Sequence, residues 1–393
     1  MKYRRFGKDS WEVSILGFGC MRLPLVKTEA PAVDEKASIA LIRSAIDRGV
    51  NYVDTAYPYH DGQSEVVLGR ALRDGYRNKV RLADKSPVWL IERGEDFDKY
   101  LAEQRVRLGV EHIDFYLLHA LNAARWKSVQ ETGVLERAEA AVRDGRIGAI
   151  GFSYHDGAEL FPKIVDGYDK WALAQIQYNY VDIENQAGTP GLRYAASRGL
   201  AVVVMEPLLG GRLAVPPTAV RAIFDEDSPP AAAEKDLRIR SGAAPADWAL
   251  QWLWDQPEVT VVLSGMNAKS QLEENLASAE RSQIGSFGPG DFAFIERVRA
   301  AFRARASIPC TKCGYCLPCP AGVNIPRNFE LYNDGVIYDN VAMVRMSYQR
   351  FFPENERAHL CTQCRTCEEK CPQKIEISAW MPRVHDALGE KKP

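Results

Sequence analysis

Outside two short runs, this chain has almost no cysteine. Of nine cysteines, only Cys20 lies in the first three quarters, and the other eight fall between positions 310 and 371. That scarcity excludes a disulfide framework for most of the chain. An excess of either charge is also missing. Lys and Arg number 50 against 52 Asp and Glu, a formal net charge of −2, which gives nucleic acid nothing to bind. No run of about eighteen apolar residues occurs, so no transmembrane helix is expected. The adjacent Arg4 and Arg5 are not followed by the apolar stretch of an export signal. These absences lead us to expect a cytoplasmic chain with neither membrane nor nucleic-acid partners. The glycine fingerprint of a doubly wound dinucleotide-binding sheet is absent too, because "GFGCMR" at 17–22 is not G-x-G-x-x-G.

What is present is a regular alternation of short β-branched runs and amphipathic stretches. "VSILGFGC", "VNYVDTA", "KVRLADK", "IDFYLLHA", "IGAIGFS", "ALAQIQYN", "LAVVVME" and "VTVVLSG" read as strands, and a helical pattern is assigned to each unit. Gly49, Gly109, Gly145 and Gly199 sit where helices should end. Eight strand–helix units are the count of a (β/α)8 TIM barrel, here with a long proline-rich loop after the seventh strand.

Barrels of this kind carry their chemistry at the C-terminal ends of the strands. There the sequence offers Asp54 and Tyr59 after the second strand, Lys85 after the third and His119 after the fourth. Each has an ordinary explanation alone: a cap, a solvated charge, a core histidine. Together, at three adjacent strand ends, they can converge on one spot. A tyrosine there can give a proton, and a neighbouring ammonium is expected to lower its pKa from about 10. Tyr57 is a competing donor by composition. Cys20 reads as a small buried apolar residue.

With "VDTAYPYHDGQSEVVLGRAL", "RLADKSP" and "FYLLHA" in place, residues 1 to about 300 resemble an aldo-keto reductase. The resemblance selects Tyr59 as proton donor, with Lys85 and Asp54 behind it and His119 orienting the carbonyl oxygen. It implies NADP(H), or alternatively NAD(H), held by Gly19, Met21, Ser153, Gln175, Met205, Leu208, Ser264, Gly265, Met266, Lys269, Gln271, Glu274 and Asn275. Two positions depart from the family pattern. Met205 stands where a stacking tyrosine is usual, and Gln271 where an arginine commonly grips the 2′-phosphate, leaving Lys269 as a substitute charge.

The eight clustered cysteines leave iron–sulfur, zinc and disulfide readings. Cys361, Cys364, Cys367 and Cys371, followed by Pro372, spell the C-x-x-C-x-x-C-x-x-x-C-P run of a [4Fe–4S] cluster, which favours the first. Cys310, Cys313, Cys316 and Cys319, followed by Pro320, repeat it with a last gap one residue shorter. Val323 and Ile325 recur as Ile375 and Ile377, and two helices are expected between the runs, the second with an apolar face of Val341, Val344, Met346 and Phe351. This region resembles an α-helical dicluster ferredoxin. The resemblance implies crossed ligation: Cys310, Cys313, Cys316 and Cys371 on one cluster, and Cys361, Cys364, Cys367 and Cys319 on the other.

The expected organisation is therefore a barrel over 1–305 and a mostly α-helical, ferredoxin-like domain with two [4Fe–4S] clusters over 306–393. Hydride moves electrons in pairs and clusters move them singly, and no flavin motif stands between. Three functions stay open: a reductase of a small carbonyl or alcohol substrate that exchanges electrons with an external carrier, a reductase with structural or redox-sensing clusters, and an electron-transfer adaptor using the barrel as a scaffold.

Overall fold

The structure is a computed structural model describing residues 1–26, 32–226, 244–310 and 312–390. Ten strands follow in chain order: β1 (Tyr3–Arg5), β2 (Glu12–Ser14), β3 (Leu16–Gly19), β4 (Tyr52–Asp54), β5 (Arg81–Ser86), β6 (Ile113–Leu121), β7 (Ile147–Tyr154), β8 (Trp171–Gln177), β9 (Ala201–Met205) and β10 (Val261–Ser264). Strands β3 to β10 close a parallel eight-stranded barrel in sequence order, with β10 paired to β3. Parallel strands covered on both faces read as near-continuous apolar runs, as "AVVVM" in β9 does. The stretch "VSILGFGC" is divided rather than one strand: Val13 and Ser14 belong to the antiparallel hairpin β1–β2, and the barrel strand starts at Leu16. Phe6 of that hairpin stacks on Phe115 at 4.5 Å and shares a buried cluster with Val13, Leu117, Val203 and Val261.

Helix termini follow the glycines. Gly49, Gly109, Gly145 and Gly199 have φ of 93°, 65°, 72° and 78°. The left-handed region is open to glycine without a Cβ clash, so each chain reversal is made there.

The described residues form two compact units. One holds residues 1–214 and the described residues from 244 to 288. The other holds 215–226 and everything from 289 onward. The helix Pro289–Ala304 thus lies in the second unit, packed with helix Thr218–Glu226 through Phe224 and Phe294, whose rings are 5.3 Å apart. The rest of the proline-rich loop, 227–243, lies outside the described residues.

Both runs and the helices between and after them build the second unit's core. Val323, Ile325, Phe329, Val344, Tyr348, Ile375, Ile377 and Met381 are buried together. Helices Ile325–Ile337 and Val341–Phe351 match expectation in extent. The second helix, however, buries Val344 and Tyr348, while Met346 and Phe351 are 64% and 75% exposed. The reason is a polar anchor: Tyr348 OH donates to Asn328 Oδ1 at 2.8 Å and accepts from the Ala358 N–H at 2.9 Å. That choice turns the next helical positions outward. Among the described residues no helix is long and apolar enough to cross a membrane.

Candidate active site

Strand alternation decides which side chains enter the barrel. On β5, Lys85 points inward and its neighbour Asp84 outward. Lys85 is fully buried, so its ammonium needs charge and hydrogen-bond partners. Its Nζ donates to Asp54 Oδ1 at 2.5 Å and to the Thr55 carbonyl at 2.7 Å. Burial disfavours the ammonium, but Asp54 and Tyr59 outweigh it and hold Lys85 above its ordinary value, hence charged.

Tyr59 begins a short turn, Tyr59–Gly62, at the barrel mouth. The Lys85 Nζ lies 5.1 Å from its ring centre, and the ring of His119 lies 6.1 Å away, edge to face. The ammonium alone was expected to lower the phenol's pKa. The net direction is the opposite: burial raises it, Lys85 lowers it, and Asp54 raises it again, leaving Tyr59 above the ordinary value. Tyr59 is therefore a protonated phenol at neutral pH. His119 is pushed well below its ordinary value, first by burial, then by Lys85, His155 and Arg125, so its imidazole is neutral. Tyr57 turns away: its OH reaches Glu103 at 3.3 Å, and it does not line the cavity. Cys20 is buried, and burial drives its thiol far up, so it is inert.

A cavity of about 340 Å³ opens over these groups. Asp54, Tyr59, Lys85 and His119 line it with Gly19, Met21, Ser153, Gln175, Met205, Leu208, Ser264, Gly265, Met266, Gln271, Glu274 and Asn275. Lys269 does not. It is exposed and directed to Glu273 at 3.6 Å, because its place at the start of helix Lys269–Arg281 faces water. The Gln271 amide oxygen accepts from the N–H groups of Asn267 (2.8 Å) and Ala268 (3.2 Å), so that atom is engaged in capping the helix. Sequence reasoning missed Arg22, His155, Glu206, Gly210 and Asn267, which line the same cavity. Arg22 and Glu206 follow the first and seventh strands, so reading every strand end would have found both.

The lining fits a nicotinamide amide. Gln175 Oε1 is buried with no hydrogen-bond partner among the described residues, beside Met205, whose sulfur lies 3.8 Å from Gln175 Nε2. Asn275 Nδ2 donates to Ser264 Oγ at 3.1 Å, tying the distal end together.

In the second unit, Cys310, Cys313, Cys316 and Cys371 line one small apolar cavity with Ile325, Phe329 and Ile377. Cys371 comes from the other run. Cys319 and Cys361 lie close enough to Cys367 for their charges to act on it. Burial pushes the Cys316 and Cys367 thiols up to about 11, so both stay protonated until a metal replaces the proton. Cys313 and Cys364, each second in its run, are exposed. Among the described residues no three His, Cys, Asp or Glu side chains converge closely enough for a single ion. Four thiols spaced around a cavity suit a cluster.

A profile of the aldo/keto reductase family matches residues 15–285, and one of a 4Fe-4S dicluster domain matches 309–376. A probable aldo-keto reductase 1 of Glycine max is 26% identical over 294 residues, 70% of this chain and 83% of its own. The uncharacterized oxidoreductase YrpG of Bacillus subtilis is 27% identical over 311 residues, 72% of this chain and 92% of its own. Among solved structures, the holo form of aldo-keto reductase AKR11C1 from Bacillus halodurans superposes with a TM-score of 0.60 at 22% identity, covering 76% of this chain and 96% of that one.

Proposed function

The chain belongs to the aldo/keto reductase family and carries a 4Fe-4S dicluster domain, and from that premise we propose that it interconverts a small carbonyl compound and its alcohol with NADP(H), or with NAD(H) in its place. The observation that carries this reading is the buried Asp54–Lys85 pair directly behind a protonated Tyr59 in the cavity. A bound nicotinamide supplies or accepts the hydride. Tyr59 OH gives its proton to the carbonyl oxygen, and Lys85 stabilises the phenolate left behind, its own charge fixed by Asp54. Neutral His119 orients that oxygen as a hydrogen-bond partner, not as a second cation. Gln175 and Ser153 would hold the carboxamide, Met205 would pack on the ring, and residues 264–275 would take the adenosine end. With Lys269 turned to water and no arginine at 271, the preference for a 2′-phosphate is expected to be weak.

In the second unit the same proposal assigns one cluster to Cys310, Cys313, Cys316 and Cys371, and the other to Cys361, Cys364, Cys367 and Cys319. Bound clusters supply one-electron transfer. Exposed Cys313 and Cys364 favour exchange with an external carrier, because each would put a cluster edge at the surface. A structural role is the second reading, favoured by Cys371, which is 8% exposed and set in the helical core.

The test is Tyr59→Phe. Carbonyl reduction should fall at least about a hundredfold, the lower range for a lost acid catalyst, with nucleotide affinity and iron content unchanged. Turnover within a factor of about two of the parent, far short of that range, sinks the assignment.

A further inference from the structure

The polar groups packed outside β5 take no part in the proposed reaction, yet they touch both of its catalytic elements. Gln104 and Arg107 stand three residues apart on the helix Gly94–Leu108 and so share one face. Gln104 is fully buried. Its Nε2 has Glu65 Oε1 at 2.7 Å, Asp84 Oδ2 at 2.8 Å and the Lys85 carbonyl at 3.1 Å. Its oxygen accepts from Tyr116 OH at 2.5 Å. Two amide protons cannot fully satisfy three acceptors. Of the two carboxyls around them, Asp84 is held well above the carboxylate range by burial and by the neighbouring Glu65. Asp84 Oδ1 also accepts from the Lys85 N–H at 2.8 Å, so the Lys85 backbone is gripped at both its N–H and its C=O.

Arg107 grips the other element. It donates to Glu65 Oε2 at 2.9 Å and to Glu103, and lies 4.4 Å from the ring centre of Tyr57. It also fills the space beside Gly62, where a Cβ would come within 3.0 Å of Nη1. Gly62 closes the turn that begins with Tyr59. Within it His60, Asp61 and Gly62 have φ of 51°, 53° and 85°. Two consecutive non-glycine residues in the left-handed region persist only where their surroundings over-determine them. Gly69 sets the spacing: a Cβ there would lie 2.1 Å from the Leu108 carbonyl, so helix Gln63–Ala71 runs against Gly94–Leu108 and Glu65 reaches both Gln104 and Arg107.

We propose that Gln104 and Arg107, joined through Glu65, are positioning residues that hold the Lys85 strand and the Tyr59 turn in one fixed relation. The inference rests on the proposed roles of Tyr59 and Lys85. Arginine suits the task because its planar fork bonds two carboxylates while its face stacks on Tyr57, which a lysine cannot do.

The test uses Arg107→Lys in the full, cluster-loaded chain, with Gly62→Ala, which presses the same contact from the other side, as the second variant. Expected is a fall in kcat of roughly 10- to 100-fold, the scale of a small misplacement of reacting groups, with KM and nucleotide affinity unchanged and no further loss in a Tyr59→Phe background. NMR titration of ¹³Cζ-labelled tyrosine reads the phenol without turnover. Tyr59 faces Lys85, Asp54 and His119, with the charge of Asp84 acting on it from behind β5, and in either variant it should titrate closer to the free value of about 10 as water enters. An unchanged kcat with an unchanged Tyr59 titration overturns the inference, and so does an equal loss in the Tyr59→Phe background. A parent chain that binds no nucleotide and reduces no carbonyl instead defeats the proposed function, and the titration still judges the positioning role.

Discussion

The two units hold reactive groups in opposite ways. In the barrel, Lys85 and Asp54 are each about 1% exposed, lie on adjacent strands and pair with each other. The closed sheet brings them together without any ligand. In the second unit, the thiols around one cavity come from residues as far apart as Cys310 and Cys371, and the groups that would compensate them are neither acids nor bases of the chain. The barrel site is completed by folding, whereas the cysteine site, under the proposed cluster ligation, is expected to need its metal to join the two runs. A site preformed by backbone geometry tolerates emptiness, and one drawn from two loops does not.

The sharpest way to break this contrast is to remove iron. Chelation under reducing conditions should unfold or loosen the second unit while the barrel stays intact, because the proposed cluster ligation would join its two halves. Hydrogen exchange reads both at once. Protection in helices Ile325–Ile337 and Ile377–Leu388 should collapse, while β5 and β6 keep theirs. Equal protection in apo and loaded protein would mean that the small core of Phe329, Tyr348 and Met381 suffices on its own.

A second experiment compares charges. Asp54→Asn leaves the Lys85 ammonium buried with no anion and should cost about 3–5 kcal/mol of barrel stability, as broken buried pairs do. Lys312→Gln removes the Lys312–Glu330 pair of the second unit, whose partners are 48% and 21% exposed, and should cost under about 1 kcal/mol. Denaturant unfolding followed at each unit separates the two. Similar losses would show that the Lys85 pocket admits water.

Much of this contrast was legible in the residues themselves. Barrel strands advertise themselves by apolar runs at regular spacing, and the strand-end rule then leads to Asp54, Tyr59, Lys85 and His119. The cysteine runs are equally direct, since their spacing is the chemistry. What stayed hidden depends on contacts distant in sequence. "EQRVRLG" at 103–109 reads as the end of an amphipathic helix, and nothing local shows that Gln104 meets Asp84 or that Arg107 meets Gly62. The direction of the Tyr59 shift was hidden for the same reason, because burial is a property of the fold, whereas the Lys85 effect could be argued from order along the chain. Helix Val341–Phe351 misled through its apolar residues: Met346 and Phe351 looked like core, and a hydroxyl on Tyr348 set the rotation instead.

Smaller than the loss of the buried Asp54–Lys85 pair is a pH dependence confined to the barrel. Burial holds His119 neutral, well below its ordinary value, while in the unfolded chain it titrates near 6.5. Below that pH the unfolded state binds a proton that the folded state refuses, so folding stability must fall as pH drops from about 6.5 toward the folded value. By pH 5 the loss from this one residue should approach about 2 kcal/mol. Arg125, Lys85 and His155 face the imidazole with positive or titratable groups, and none supplies an anion that would rescue the imidazolium. His155, lowered to about 4 with burial as the first cause although its surface is exposed, and His60, also lowered by burial, act in the same direction and share the acid slope. The His119→Gln variant should lose the His119 part of the barrel's acid slope between pH 6.5 and 5, keep the part due to His155 and His60, and leave the second unit's slope untouched, as followed by denaturant midpoints across that range. A slope unchanged by His119→Gln would place the acid sensitivity wholly elsewhere and would mean that the imidazole is already hydrated enough in the open cavity to take up its proton.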